Sequence, residues 1–168
     1  MSIVDKTVGT AVQKVSGLAG TVFGGKGERT QAITIERPRA EVERFWHDPE
    51  QLSRVLGTVG EVRPRGSDGY TWVLHGERDV EWETTLGTDA EGLRFSTADD
   101  PDGPHIRLTF AEAPGGRGTE VLARVAAPAP GILTDAAVFK VLYRARALLQ
   151  TGEIPTLQPQ PAARDSAR

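Results

Sequence analysis

The sequence of 168 residues contains no cysteine, which excludes disulfide bonds, thiolate catalysis and zinc sites with cysteine ligands. No apolar run approaches the ~18 residues that a membrane-spanning helix requires. Basic residues are not in excess, since 20 lysines and arginines stand against 23 aspartates and glutamates. This balance argues against a nucleic-acid-binding protein, which usually carries a basic surface. Because no secretory signal pattern is present either, the sequence predicts a cytoplasmic protein.

Familiar catalytic motifs are missing as well. The three histidines, His47, His75 and His105, show neither the HExxH pattern nor paired spacing, so no metal site is predicted. No serine lies in a G-x-S-x-G sequence, and the glycine-rich run at 115–118 lacks the pattern of a phosphate-binding loop. The sequence therefore predicts no cofactor.

The composition that remains is that of one globular domain with extensions at both ends. Glycine (19 residues) and proline (11 residues) are frequent and imply many turns, and charged residues make up 26%, near the globular average. We predict an N-terminal extension over residues 1–29, a folded domain over 30–155 and a disordered tail over 156–168.

The N-terminal extension has its own pattern. Apolar residues recur in it at steps of three and four, as on one face of a helix: Val4, Val8, Ala11, Val12, Val15, Leu18 and Val22. Several glycines weaken that helix. Two interpretations follow, either a frayed extension or a weakly amphipathic segment over residues 1–27 that contacts a membrane surface or a protein partner.

From residue 30 onward the pattern predicts regular structure. Alternating residues predict a strand over 31–36, and two short helices follow, the second over 50–56. Six strand-like runs separated by turn residues predict an antiparallel meander: 59–65, 70–75, 80–86, 93–97, 105–112 and 119–126. A long amphipathic helix is predicted over 132–151. This order predicts an α+β fold in which a curved antiparallel sheet wraps around the C-terminal helix and leaves a concavity for an apolar ligand.

Short sequences spread over residues 30–155 carry a resemblance to a known superfamily. They are Ile33-Thr-Ile-Glu-Arg-Pro38, Phe45-Trp-His-Asp-Pro-Glu-Gln-Leu52, Glu81-Trp82, Pro114-Gly-Gly-Arg-Gly-Thr-Glu-Val121 and Thr151-Gly-Glu-Ile-Pro155. With them the chain resembles the START/Bet v1-like (SRPBCC) superfamily, in particular its bacterial polyketide cyclase/dehydrase and lipid-transport branch. The resemblance implies a helix-grip fold with a deep cavity between the sheet and the C-terminal helix. Members bind lipids, quinones, polyketides or plant hormones, and a minority catalyse cyclisation or aromatisation.

Large apolar residues on the predicted inner faces are the candidate ligand contacts. They are Trp72, Trp82, Phe95, Phe110 and Leu142, with Phe45 and Trp46 near the entrance of the cavity. An indole ring stacks on a flat ligand and its N–H orients a polar group, although these rings also suit a plain hydrophobic core. The sequence thus predicts binding or carrying of a small hydrophobic ligand that is a lipid, a quinone or polyketide-like.

Two alternatives stay open at this point. A cyclase or dehydratase acting on a polyketide-like substrate needs an ionisable group in the cavity, and the candidates are His75, His105, Arg94 and Arg107. The carboxylates of Asp79, Glu81 and Glu83 alternate with Trp82 and are predicted on the solvated face of the sheet. The other alternative is an interaction module that docks through residues 1–27.

Overall fold

The computed structural model describes residues 27–155, which contain seven strands and three α-helices. The strands are β1 (Glu28–Ile35), β2 (Gly60–Arg65), β3 (Gly69–Leu74), β4 (Val80–Thr88), β5 (Gly92–Thr97), β6 (Asp100–Glu112) and β7 (Thr119–Ala126). The helices are α1 (Arg39–His47), α2 (Pro49–Leu56) and α3 (Asp135–Thr151). No helix in this described range is long and apolar enough to cross a membrane. The predicted extensions over 1–29 and 156–168 lie outside the described residues, apart from the three residues before Thr30.

The strands form one antiparallel sheet in the order β1-β7-β6-β5-β4-β3-β2. Every strand from β2 to β7 pairs with its neighbour in the chain, and β1 closes the other side by pairing with β7. The sheet is curved, two short helices follow its first strand, and the C-terminal helix packs mainly against β1. The predicted helix-grip fold is therefore confirmed.

Local chemistry explains the two short helices. Asp48 separates them, and its carboxylate accepts a hydrogen bond from the Glu50 N–H (2.9 Å) at the first turn of α2. Pro49 follows directly, where its missing N–H costs no hydrogen bond. Gly57 has a φ of +55° and ends the helix, a conformation that favours glycine.

The C-terminal helix begins three residues later than its apolar pattern predicts. Thr134 is its N-cap, with a side-chain oxygen 3.3 Å from the Ala137 N–H, and helices favour threonine at this position. Leu133 has a φ of +51°, outside the helical region. The predicted start at residue 132 is therefore wrong, because Ile132 and Leu133 are apolar for another reason: both are buried against the core from the preceding loop.

The first strand begins three residues earlier than predicted. Its register runs from the Glu28–Ala126 pair to the Ile35–Thr119 pair without interruption. Thr30 is buried and Glu28 is half-buried in this strand. Because these first residues are polar, the alternation of apolar and polar residues does not reveal that the strand begins at residue 28. The folded domain therefore includes residues 28 and 29.

The C-terminal end of α3 is held at a polar contact that we call the α3 corner, formed by Glu36, Arg37, Gly118, Leu149 and Gln150. Arg37 donates from Nε to the Leu149 carbonyl oxygen (2.9 Å) and from Nη2 to that of Gln150 (3.1 Å). The Glu36 N–H donates to the side-chain carbonyl of Gln150 (3.0 Å). The last carbonyls of a helix lack partners inside the helix, so Arg37 satisfies them and fixes the helix on β1.

Gly118 allows the β6–β7 turn to reach this corner. Its φ is +106°, and a Cβ atom there would overlap the Ile35 carbonyl oxygen and lie 2.8 Å from the Arg37 nitrogen. Next to it, the Thr119 hydroxyl donates to the Arg37 carbonyl oxygen (2.8 Å). Only glycine combines this φ with such a close backbone approach.

Helix α2 is tied to strand β2 through Ser53. Its hydroxyl oxygen accepts from the Val62 N–H (2.8 Å) and lies 2.9 Å from the carbonyl oxygens of Val62 and Pro49, the two acceptors for its proton. The side chain is partly buried, so these bonds are shielded from water. Helix α2 and the β2 edge of the sheet are thereby joined.

Candidate ligand-binding cavity

An apolar cavity of about 50 Å³ lies between the sheet and the helices. The sheet contributes Trp72, Phe95, Ile106, Leu108, Ala123 and Val125. Helices α1 and α2 contribute Trp46, Leu52, Val55 and Leu56, and the α3 side contributes Leu133, Val138, Val141 and Leu142. All of these side chains are apolar apart from the indole N–H groups.

The periodicity of each element explains why these residues meet. On β7, Ala123 and Val125 alternate with outward-facing residues, and Ala123 pairs with Leu108 on β6. On α2, Leu52, Val55 and Leu56 follow the spacing of one helix face, and all three are buried. The same spacing places Val138, Val141 and Leu142 on the cavity side of α3.

The structure brings four of the seven predicted ligand contacts onto the cavity wall. These are Trp46, Trp72, Phe95 and Leu142. The other three, Phe45, Trp82 and Phe110, are buried in the same core but are not among the lining residues. Trp82 lies one strand beyond Trp72 and directly opposite it in the register, with ring centroids 5.8 Å apart.

The cavity is much smaller than the deep one that the resemblance implies. Aromatic rings fill the concavity, since Phe95 packs edge-on against Tyr70 and Trp72 at centroid distances of 5.3 and 5.2 Å. Its volume corresponds to about three to five buried waters at ~10–15 Å³ each. It is also about a third of the ~150 Å³ of an engineered apolar cavity that binds benzene.

The three tryptophan N–H groups differ in their partners. Trp72 donates from Nε1 to the hydroxyl of Thr84 (2.8 Å), which is fully buried. Trp82 donates to the hydroxyl of Thr97 (2.9 Å), which in turn donates to the Pro104 carbonyl oxygen (2.7 Å). The Nε1 of Trp46 is buried and has no hydrogen-bond partner among the described residues.

The candidate catalytic groups lie away from this cavity, and none of them is among its described lining residues. His75 is largely exposed and lies 3.3 Å from the Asp79 carboxylate, and His105 lies 3.4 Å from that of Glu28. Arg94 and Arg107 face each other across β5 and β6, in the rows that alternate with the buried residues Phe95 and Leu108. None of these four side chains is therefore placed to act on a ligand in the cavity.

Arg107 instead takes part in an ion pair on the outer face of the sheet. It donates to both carboxylate oxygens of Asp89 (2.7 and 2.9 Å) and to Glu91 (3.2 Å). The hydrogen bond from Arg107, assisted by backbone N–H groups of Glu91 and Gly92, lowers the pKa of Asp89 from 3.8 to about 2. The same pairing raises the pKa of Arg107. This geometry is that of a surface ion pair with no link to the cavity.

Tyr70 is a buried residue of the aromatic cluster that carries an ionisable group. Its hydroxyl donates to the His47 carbonyl oxygen at 2.6 Å, and its ring packs against Phe95. Burial, followed by the nearby carboxylates of Asp48 and Asp68, raises the pKa of Tyr70. The phenol is therefore neutral at physiological pH and ties the end of α1 to β3.

Sequence reasoning missed several wall residues, for different reasons. The face formed by Leu52, Val55 and Leu56 follows a helical period and was accessible from the sequence. Leu133 was not, because its place on the wall depends on a left-handed backbone outside the helix. Ala123 was also missed, since a small residue on a strand gives no sign that a void lies above it. The described residues contain no group of three or more histidine and carboxylate side chains that could hold a metal ion.

Solved structures show the same architecture. DR_A0006 from Deinococcus radiodurans is 22% identical, with a TM-score of 0.62 over 76% of this chain and 100% of that protein. TTHA0849 from Thermus thermophilus is 22% identical, with a TM-score of 0.57 over 75% and 99%. An AHSA1-like protein from Aeromonas hydrophila is 16% identical, with a TM-score of 0.51 over 77% and 99%.

The comparisons by sequence give no assignment, since no family model matches the chain and no curated protein is significantly similar to it. At these low identities the structural likeness shows the fold and leaves the activity open. The order of the elements, the sheet topology and the solved structures agree, and the chain has a Bet v1-like helix-grip fold.

Proposed function

We propose that the protein binds a small hydrophobic molecule in the cavity between its sheet and its helices. The observation that carries this proposal is the cavity wall, which is built from apolar side chains of every layer of the fold. Enclosed apolar cavities between a sheet and helices commonly hold small ligands. Ligands of the lipid, quinone or polyketide-like class suit this wall, as the resemblance implies.

Removal of apolar surface from water drives this binding. A ligand that buries ~200 Å² of apolar surface gains about 5 kcal/mol at ~25 cal/mol per Å². The loss of translational and rotational freedom offsets part of that gain. A weak to moderate affinity follows, unless polar contacts add to it.

A ligand of this class requires a wider cavity than the 50 Å³ present. The walls differ in how firmly they are held, because Ser53 ties α2 to β2 and Arg37 fixes the C-terminal end of α3. The polar contact at the N-terminal end of α3 is the exposed ion pair between Arg29 and Asp135 (2.9 Å), and such pairs contribute little to stability. The rest of the attachment at this end is apolar packing of Leu133 and Val138. In this proposal the ligand widens the cavity by displacing the first turns of α3 and the loop that contains Leu133.

The two alternatives gain no support from the described residues. A cyclase or dehydratase reaction needs a proton donor or acceptor at the ligand, and His75, His105, Arg94 and Arg107 are absent from the described cavity wall. Docking through residues 1–27 concerns a segment that lies almost entirely outside the described residues.

Native mass spectrometry tests the proposal on the full chain purified from its own host. We expect additional mass that disappears when the same sample is denatured. Protein that arrives empty is then titrated with benzene, decane and 1,4-naphthoquinone while amide and methyl NMR signals are followed. An empty protein in which none of these probes shifts the signals of Val125, Val138 or Leu142 would overturn the proposal.

A further inference from the structure

The unpartnered indole N–H of Trp46 is an unusual feature of this core. Trp46 is 3% exposed, its side chain lines the cavity, and its Nε1 has no acceptor among the described residues. Buried polar groups nearly always have a hydrogen-bond partner, and a buried group without one destabilises a protein. The other two indole N–H groups in the same core each bond to a threonine hydroxyl.

We propose that the N–H of Trp46 donates a hydrogen bond to an oxygen atom of the bound ligand. This inference rests on the proposed function and adds to it a requirement on the ligand. Trp46 stands at the end of α1, where it packs edge-on against Phe45 at a centroid distance of 5.4 Å. The void as it stands exposes only apolar atoms, so in this proposal the ligand must widen the cavity as far as this donor. One hydrogen bond would then orient an otherwise apolar molecule.

The surroundings of Trp46 define the chemical class of that oxygen. The remaining described wall residues supply no side-chain acceptor and no charge, because they are aliphatic or aromatic except for Trp72, whose N–H is bonded to Thr84. A carboxylate would be buried with no cation beside it, and a hydroxyl would carry its own proton without an acceptor. The oxygen is therefore a neutral acceptor, such as the carbonyl of a ketone, a quinone or an ester.

A pair of probes with the same shape separates the hydrogen bond from the hydrophobic contact. Acetophenone and α-methylstyrene differ in that a C=O group of the first is a C=CH₂ group in the second. Both are titrated into the full-length protein, its Trp46→Phe variant and its Trp72→Phe variant. The Trp72→Phe variant is the matched control, because it also removes an indole from the wall, but one whose N–H is already bonded.

We expect Trp46→Phe to lower the affinity for acetophenone by about fivefold more than the affinity for α-methylstyrene, because about fivefold is the usual effect of one hydrogen bond. Trp72→Phe should change this ratio by less than about twofold. In the unmodified protein, the Trp46 indole proton resonance should move downfield with acetophenone and stay in place with α-methylstyrene. This second readout needs no variant, so it holds even where a substitution disturbs folding.

The outcomes separate the inference from the proposed function. Suppose that both probes bind, that Trp46→Phe leaves the ratio of their affinities unchanged, and that the Trp46 indole proton does not move downfield. This result would overturn the inference and leave the proposed ligand binding intact. A persistent magnetisation transfer from a bound water to the Trp46 N–H in the probe complex would also overturn it. Failure of both probes, together with failure of benzene, decane and 1,4-naphthoquinone to bind the empty protein, would reject the proposed function, and this inference with it.

Discussion

The α3 corner and the cavity both involve helix α3, but the corner is formed by hydrogen bonds and the cavity by apolar side chains. At the corner, Arg37 and Glu36 pair with the last carbonyl and side-chain groups of α3. At the cavity, Val138 and Leu142 of the same helix face a void, and the N–H of Trp46 has no partner in the described structure. Hydrogen bonds hold the C-terminal end of α3, whereas the cavity farther along the helix contains a void and, on α1, an indole N–H without an acceptor among the described residues.

This difference shows where the recognisable sequence lies. The stretch from Ile33 to Pro38, the glycine-rich turn and the Thr151–Pro155 sequence all converge on the α3 corner or lie directly beside it. Their residues are explained by packing and capping, so they mark the fold. Most of the cavity wall consists of apolar residues outside these sequences, and only Trp46 and Leu52 belong to one of them, the Phe45–Leu52 stretch. The recognisable sequences therefore identify the fold and leave the ligand open.

The corner should respond most strongly to a single added methyl group. Gly118→Ala places a Cβ atom against the Ile35 carbonyl at a φ of +106°, so we expect a loss of about 3 kcal/mol in the free energy of unfolding. Gly116→Ala is the control, because it also has a positive φ (+67°) but nothing within 4 Å of the added Cβ. Gly116→Ala should lower the free energy of unfolding by about 1 kcal/mol.

Urea denaturation of the two variants measures this contrast. Equal losses of stability would mean that the backbone conformation alone explains the glycines, and that the close approach at the corner is unimportant.

The cavity should respond to added methyl groups in the opposite direction. Ala123→Val fills part of the void, and we expect a gain of about 0.5–1 kcal/mol in stability together with a tenfold or greater loss of probe binding. Ala111→Val is the control, since it makes the same change on the exposed face of the neighbouring strand and adds only β-propensity. Thermal denaturation and titration with benzene report the two effects, and a destabilised Ala123→Val protein would show that the site is already fully packed.

The smallest effect should come from the outer face of the sheet, through pH. The pKa of Asp89 is lowered from 3.8 to about 2 in the folded protein, so the pair with Arg107 stabilises the fold above pH ~4. That contribution is lost as the pH falls through about 2. Arg107→Gln should flatten this part of the stability profile, measured as urea midpoints from pH 5 to 2.

Probe binding should not follow that titration, because the described cavity wall contains no carboxylate, histidine, lysine or arginine. We expect the dissociation constant of acetophenone to be constant between pH 5 and 9. A change of the dissociation constant with pH in that range would mean that an ionisable group contacts the ligand. The cavity would then not be purely apolar, and the contrast with the charged surface would be wrong.

Most of the fold was predictable because its signals are local. Strand β7 was predicted over the residues that it occupies, and β4 and β5 were placed to within two residues at each end. These strands are bounded by glycine, proline and aspartate, which interrupt the pattern of apolar residues. The start of α3 was missed because Ile132 and Leu133 continue the apolar pattern into a loop, although the Thr134 cap marks the true boundary.

The site was predictable only in part, because a cavity is a property of packing between distant elements. Trp72 and Phe95 could be placed on the inner face from their alternation, but so could Phe110, which does not line the void. Whether a buried residue touches a void depends on its neighbours from other elements, and one sequence does not contain that information. That the N–H of Trp46 lacks a partner among the described residues also cannot be predicted from the sequence, because it depends on the positions of all the surrounding atoms.

The Ser53 contact has a consequence for the behaviour of the protein at high concentration. An open sheet has two edges, and an edge with free N–H and C=O groups recruits strands from other molecules. At the β2 edge, the N–H and the carbonyl oxygen of Val62 both hydrogen-bond with the Ser53 hydroxyl. Two residues later, Pro64 has no N–H that could bond to another strand. Helix α3 packs on the opposite edge strand, β1. The free edge of β2 is therefore blocked at Val62 and Pro64, which disfavours edge-to-edge aggregation through this strand.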